Sequence, residues 1–325
     1  MSIAPPPPFD PELAATLAVV SKTVPASITR DVLAEMRRDG VFPRPTDEEL
    51  SRNGLFEIEE RQVRGPQGAP DISLLIGRPA STGRTRPSPV LYFTHGGGMI
   101  MGDNRGGFAN ALDLALELDA IVVSVEYRLA PEHPHPAPIE DVYAGLLWTA
   151  QHAQEIGGDA ERIVITGPSA GGGLTAALAL LLRDRKGPQP IGQLLVCPML
   201  DDRNDTPSAH QMAGLGVWDR TSNETGWTAL LGDKRGGPDV PGYAAPARAE
   251  DLSGLPPAFL DVGSAETLRD EVVTYASRIW QAGGTAELHV WPGAFHGFDE
   301  FAPQSALGMA ARAARLRWLQ KLLQL

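Results

Sequence analysis

A serine set between small residues, just after an apolar strand, is the first place where this sequence can do chemistry. Gly167-Pro168-Ser169-Ala170-Gly171 follows the strand-like run Arg162–Thr166 and precedes an Ala/Leu-rich helical stretch. That is the strand–turn–helix setting of a G-x-S-x-G nucleophile elbow, in which small neighbours let strand and helix backbones approach while the serine is strained and exposed at the tip. The polarity of the following helix turns its first N–H groups toward the reacting carbonyl. A second segment, His95-Gly96-Gly97-Gly98, ends the strand-like run Val90–Thr94. Consecutive glycines can point backbone N–H groups into a cavity, the makings of an oxyanion hole in which one donor is worth roughly 10²–10³ in rate. A phosphate loop would need the Walker spacing with Lys and Ser/Thr, which is absent.

A serine needs a base. Of the seven histidines, His296 lies in Gly293-Ala294-Phe295-His296-Gly297-Phe298, after the strand-like run Glu287–Trp291, at the strand edge from which the serine also emerges. His152 reads as a solvated helix position, His210 falls in an irregular segment and His289 alternates within a strand. His133 and His135 are two apart but embedded in prolines, with no further ligand placed to complete a metal set. Chain order then requires an acid between Ser169 and His296. Asp261 sits inside the strand Ala258–Val262, while Asp270 and Glu271 fall in the first turns of the next helix, where the helix dipole accounts for negative charge. Glu266 is in the connecting loop and is the candidate to orient the histidine and stabilise imidazolium, with Asp270 the alternative.

These loops need a scaffold, and the apolar pattern supplies one. Pro11–Ser21 and Ile28–Asp39 are amphipathic and helix-like, with Gly40 a stop. Leu55–Arg64 and Ile72–Gly77 are strand-like and separated by a hairpin-like break, Gly65-Pro66-Gln67-Gly68. Strands are then expected at Val90–Thr94, Ile121–Val125, Arg162–Thr166, Ile191–Val196, Ala258–Val262 and Glu287–Trp291. Helices are expected at Phe108–Leu118, Ile139–Ala153, Ala170–Asp184, Leu268–Gln281 and Gln304–Leu322. Short apolar strands alternating with helices imply an α/β chain with a parallel sheet covered on both faces. Asp201 to Pro241 breaks the rhythm, as a long loop or as an insertion that joins the N-terminal helices over the sheet.

Composition excludes partners. With 28 Lys plus Arg against 40 Asp plus Glu, the net charge of −12 opposes both nucleic acid and an anionic membrane surface. The 35 Gly and 29 Pro are spread without a repeat and suggest many tight turns. Cys197 is the single cysteine, so a disulfide or a thiolate cluster for zinc is not expected; its apolar neighbours, Leu194 to Val196, mark a buried, inert thiol. Met1 to Pro8 has no basic residue and no apolar stretch, so no signal peptide is expected. The longest apolar run, Leu174 to Leu182, is about half a membrane span, and the chain reads as cytoplasmic.

From about Pro89 onward the chain resembles the hormone-sensitive-lipase-like carboxylesterases, bacterial esterase family IV, of the α/β-hydrolase superfamily. His95-Gly96-Gly97-Gly98 is similar to that family's oxyanion motif. Tyr127-Arg128-Leu129-Ala130-Pro131-Glu132-His133-Pro134, with Pro136-Ala137-Pro138 and Glu140-Asp141, resembles its turn before a helix. Ser169-Ala170-Gly171-Gly172 resembles its elbow, and Phe295-His296-Gly297-Phe298 its histidine loop. The resemblance implies the α/β-hydrolase fold: a mostly parallel eight-stranded sheet with helices on both faces and a helical cap. It implies one domain over 1–325, with a cap from about 1–50 plus about 202–239 and a catalytic core of about 51–201 and 240–325. Ser169 would be nucleophile, His296 base and Glu266 acid, with Gly97, Gly98 and Ala170 supplying oxyanion N–H groups. Three departures stand out: Glu266 where the family usually has Asp, Pro168 where Asp is frequent, and Glu126 where Asp is more usual.

The expected activity is a serine carboxylesterase acting on short- to medium-chain esters through an acyl-enzyme, with no metal and no organic cofactor. Met99, Trp218 and Phe298 are expected pocket walls, with packing inside the cap the alternative for Trp218. An amidase or lactonase would use the same triad. A non-catalytic receptor on this scaffold, similar to the gibberellin receptors, would have lost the histidine that is present here. The expected partner is a small-molecule ester; members of the family often form homodimers, and no segment of this sequence marks an interface.

Overall fold

Eight apolar runs fold as strands in the computed structural model, which describes residues 4–39, 44–80 and 86–325. In chain order the helices and strands are α1 (Pro11–Val20), α2 (Arg30–Asp39), α3 (Asp47–Ser51), β1 (Phe56–Val63), β2 (Ile72–Pro79), β3 (Ser88–Thr94), α4 (Phe108–Leu118), β4 (Ile121–Val125), α5 (Ala137–Gln151) and β5 (Gly158–Pro168). They continue with α6 (Ala170–Arg185), β6 (Gly192–Val196), α7 (Pro207–Gln211), α8 (Arg220–Leu231), β7 (Ala258–Gly263), α9 (Arg269–Gln281), β8 (Ala286–Trp291), α10 (Phe298–Phe301) and α11 (Ala306–Leu323). Gly40, the expected stop of α2, lies outside the described residues. The strands form one sheet in the order β1-β2-β4-β3-β5-β6-β7-β8. β1 and β2 form the expected hairpin, β2 pairs antiparallel with β4, and the remaining pairs are parallel.

Alternate side chains of the central strands go to opposite faces, as a period of two requires. Leu74, Ile76, Val90, Tyr92, Ile121, Val123 and Ile165 join one apolar cluster with the inner faces of α5, α6 and α9. Leu75, Leu91, Phe93, Val122 and Val164 join another with α4 and α11. Both faces are therefore covered, which is why β3 and β4 are buried at every position. The edges differ: β8 is half-buried except at exposed Val290, and β1 exposes Glu57, Glu60 and Gln62.

The irregular stretch after β6 contains the short helix α7 and the longer α8. It packs on the N-terminal segment through polar contacts: Ser27 Oγ donates to Asp219 (2.8 Å), and the Ile28 N–H donates to Ser222 Oγ (2.8 Å). Asp219 caps α8 by accepting from the Ser222 N–H. The sequence pattern did not mark α8 because Thr, Ser, Asn and Gly occupy much of it; packing of Trp227 and Leu230 overrides that weak propensity.

One buried ionic cluster crosses the fold. Arg315 of α11, 6% exposed, bonds Asp261 of β7 through Nε (2.9 Å) and reaches Asp299 of α10 through Nη1. Trp291 at the end of β8 also donates to Asp261 (3.1 Å). Removing the guanidinium would strand two carboxylates in the interior, which typically costs about 3–5 kcal/mol. Arg315→Met is accordingly expected to lose that much stability in urea unfolding. A loss below about 1 kcal/mol, the range of an exposed pair, would contradict this reading of the cluster.

Candidate active site

The sheet order reverses between β3 and β5: β4 lies on one side of β3, and β5, not β4's successor in space, lies on the other. Such a switch point opens a crevice at the carboxyl ends of the strands. β3 ends in His95-Gly96-Gly97-Gly98 and β5 ends in Pro168-Ser169, so the two segments emerge side by side.

Ser169 occupies a left-handed backbone conformation, φ 54° and ψ −122°, which costs of order 1–3 kcal/mol and persists only where the surroundings fix it. They do so here from both sides. The Ser169 N–H donates to Val196 O (2.8 Å), and its carbonyl accepts from Met199 N and Gly173 N (3.0 Å each). A side chain at Gly171 would overlap the carbonyl oxygens of Thr94 and His95, so the close approach of α6 to β3 requires glycine there.

His296 arrives from the loop after β8 and Glu266 from the loop after β7, the two strands beyond β6. His296 Nε2 lies 3.0 Å from Ser169 Oγ, and Nδ1 lies 2.9 Å from Glu266 Oε1. The other carboxylate oxygen of Glu266 accepts from the Gly263 N–H (2.8 Å). All three side chains are nearly closed to solvent, with exposures of 8% for Ser169, 9% for His296 and 2% for Glu266. Since Glu266 takes the bond at Nδ1, that nitrogen carries the proton and Nε2 is left to accept from the serine hydroxyl. Asp270, the alternative acid, does not approach the histidine: it accepts from Ser208 N (2.7 Å) and from Arg269 Nε (2.7 Å), anchoring α7. Glu271 is likewise occupied, receiving the N–H groups of Leu200 and Asp201.

The glycine segment faces the same space. Among the described residues, the backbone N–H groups of Gly97, Gly98 and Ala170 donate to no protein acceptor. Gly98, at φ 62°, lies so close to the Trp218 indole that a Cβ would strike the ring, and a left-handed turn at that point favours glycine in any case. Trp218 also stands 6.4 Å from the His296 ring and donates to Asn223 Oδ1 (3.2 Å), so it borders both segments while packing against α8. Met99 is buried in the same large cluster as Trp218, and Phe298 packs with Leu13 of α1 and Phe295.

Several supporting residues carry no sequence-local mark of their role. The Tyr127 hydroxyl donates to His95 O (3.0 Å), and its ring stacks on His95 at 4.1 Å. Burial lowers the His95 pKa to about 4, so His95 is neutral and its Nδ1–H donates to Gly96 O (2.8 Å). Glu126 accepts from Asn104 N (2.7 Å) just beyond the glycine segment, with burial raising its pKa to about 7. Arg37 of α2 reaches across to donate to Ile100 O (2.6 Å) and Ala130 O (2.7 Å) and pairs with Glu132. Apart from the adjacent His95 and Gly96, these partners lie tens of residues apart, so the motifs that hold His95, Tyr127 and Glu132 do not show what each meets.

Comparison with known proteins shows the family. A family profile described as alpha/beta hydrolase fold matches residues 90–300. The chain belongs to the α/β-hydrolase family. Within it, the chain falls in the hormone-sensitive-lipase-like branch. It is 37% identical over 296 residues to "Carboxylesterase NlhH" of Mycobacterium tuberculosis, covering 90% of each chain. It is 36% identical over 249 residues to "Esterase LipI" of the same organism, covering 76% of each. Among solved structures, "Bacterial Heroin Esterase" superposes with a TM-score of 0.86 at 36% identity, over 97% of this chain and 98% of that one. Esterase LipW from Mycobacterium marinum gives a TM-score of 0.84 at 29% identity, over 99% of each. Among the described residues no helix is long and apolar enough to cross a membrane.

The electrostatics of the histidine set a pH dependence. Burial disfavours the imidazolium, but the adjoining Cys197 and Glu266 outweigh it and hold the His296 pKa well above 6.5; the carboxylate is the partner that carries charge. Ester turnover is therefore expected to climb as pH rises through that raised pKa, since only neutral imidazole accepts the serine proton. Glu266→Gln removes the charge that stabilises imidazolium, so kcat/KM should fall and its ascending limb should move to lower pH. A limb that stays in place would contradict the assignment. In a side-by-side comparison, Glu266→Ala is expected to lose far more activity than Asp270→Ala; the reverse order would make Asp270 the acid.

Proposed function

We propose that this carboxylic ester hydrolase acts on short- to medium-chain esters by acyl transfer through Ser169, His296 and Glu266. The observation that carries the reading is the unbroken hydrogen-bonded relay from Ser169 Oγ to His296 Nε2 (3.0 Å) and from Nδ1 to Glu266 (2.9 Å). Ser169 attacks the ester carbonyl as His296 takes its proton, and Glu266 holds the imidazolium without itself becoming protonated. Negative charge on the carbonyl oxygen develops against the N–H groups of Gly97, Gly98 and Ala170. His296 then protonates the leaving alcohol. A water deprotonated by the same nitrogen cleaves the acyl-enzyme and returns the serine. No step calls for a metal or an organic cofactor.

Substrate size follows from what stands over the serine. In this reading α1, α2, α7 and α8 act as a cap, and Trp218 and Phe298 give the acyl or alcohol group an apolar wall. Met99, next to Gly98 and buried in the same apolar cluster as Trp218, is the third candidate wall. Arg37 ties the cap to the oxyanion segment through Ile100 O.

Ser169→Ala is expected to lower p-nitrophenyl butyrate turnover by at least about 10⁴-fold, as for other serine hydrolases that lose the nucleophile. Retained turnover would rule out the mechanism. With p-nitrophenyl esters from two to sixteen carbons, kcat/KM should peak on the short side and fall by the longest chains; a maximum at sixteen would make the enzyme a lipase.

A further inference from the structure

Among the described residues, Cys197 is a nucleophilic side chain beside the relay that ester hydrolysis does not use. It follows β6, is buried, and has its N–H fixed on Asp261 O (2.8 Å) in a left-handed turn, φ 36°. The backbone on either side is pinned to the elbow, because Val196 O accepts from Ser169 N and Met199 N donates to Ser169 O. The thiol is thereby held against the histidine. One donor atom each from Cys197, Glu266 and His296 lies within 4.8 Å of the others, and all three residues are buried.

We propose that Cys197, Glu266 and His296 form an inhibitory site for a thiophilic divalent cation, of which Zn²⁺ is the physiological example. The donor set is one sulfur, one imidazole nitrogen and one carboxylate oxygen, the mixture that zinc accepts and that magnesium and calcium do not. Tetrahedral zinc, with bonds of about 2.3 Å to sulfur and about 2.0–2.1 Å to nitrogen, places donors about 3.5 Å apart. The side chains need to move by about an ångström from the arrangement seen. An outer support is already built: Glu266 Oε2 is held by the Gly263 N–H, which orients the carboxylate. Cys197 also borders a cavity of about 80 Å³ together with Gly167, Pro168, Gly297 and Asp299, whose lining includes neither His296 nor Glu266. Arg312 and Arg315 also line it, but each is paired with a carboxylate, Asp113 for the first and Asp261 with Asp299 for the second.

The proton balance explains the inhibition. Zn²⁺ binds the thiolate, releasing one proton to solvent, and takes His296 through Nδ1, whose proton is displaced to Nε2. Glu266 exchanges its hydrogen bond for a metal bond. No electrons move; counted from neutral His296, the form that accepts the serine proton, the loaded site is neutral where the empty one carried a single negative charge, and imidazolium releases a second proton. With Nε2 protonated, His296 donates toward Ser169 instead of accepting from it. This loss of activity rests on His296 acting as the base; the binding does not.

Binding is read on Ser169→Ala, which holds the donor set without turnover. Titration with Co²⁺ as a zinc surrogate is expected to give a thiolate-to-cobalt charge-transfer band in the near ultraviolet, saturating at one equivalent. The band should vanish when Cys197→Ala is added, and Cys197→Ser, which keeps the volume, should behave the same way. In the active protein, Zn²⁺ should abolish ester turnover reversibly, with full return on adding a chelator. Cys197→Ala and Cys197→Ser should need at least about 100-fold more Zn²⁺, each measured against its own metal-free rate. A Co²⁺ spectrum without the band, or equal zinc sensitivity with and without the thiol, would overturn the site. A band accompanied by full turnover of zinc-loaded enzyme would overturn the inhibitory role. Whether the triad reading has failed as well is read separately, from the metal-free turnover of Ser169→Ala.

Discussion

Everything at this site depends on one backbone conformation, the left-handed turn at Ser169. A serine in the ordinary helical or extended regions would point along the sheet or into it; only the sharp reversal between β5 and α6 puts the hydroxyl at the tip. The conformation is unfavourable by itself, and the fold counters it with hydrogen bonds to Val196, Met199 and Gly173 and with a close approach that only Gly171 permits. The same approach brings α6 to the end of β3, so the strain that places the Ser169 hydroxyl at the tip also sets its distance to the glycine segment. The site is thus a consequence of sheet order: β3 and β5 are neighbours, and their two loops share one crevice.

A second tier of interactions holds the movable parts. The histidine and acid loops are joined at their bases by the Arg315 cluster, since Asp261 leads into the acid loop and Asp299 follows the histidine. Tyr127 and Arg37 fix the carbonyl groups of His95 and Ile100 at either end of the glycine segment, one from the core and one from the second helix, α2. Asp270 and Glu271 secure the chain around α7. Each of these groups acts on a carbonyl, an amide or a paired charge, and none needs to meet the substrate.

The sequence made the sheet legible because its strands are short, apolar and separated by helices of regular period; each expected strand is present, with ends moved by a few residues. It made Ser169, His296 and Glu266 legible because each sits in a loop directly after a strand, and such loops gather at one sheet edge. What it left unread has a common cause. The helix α8 is rich in Ser, Thr, Asn and Gly and forms because Trp227 and Leu230 are buried, a tertiary effect with no local pattern. Arg37, Tyr127 and Arg315 meet partners that are distant along the chain, so no spacing announces them. Cys197 was readable as a buried thiol from its apolar neighbours, yet its place against His296 follows from β6 lying between β5 and β7, a fact of strand order.

The central claim is that the strained serine is a nucleophile activated by His296. Covalent labelling reads this directly. A diethyl p-nitrophenyl phosphate ester offered to the native enzyme should release one equivalent of p-nitrophenol, and peptide mass mapping should place the diethylphosphoryl group on Ser169. His296→Ala should leave Ser169 unlabelled on the same timescale. Label on another residue, or equally fast labelling of Ser169 without the histidine, would contradict the account.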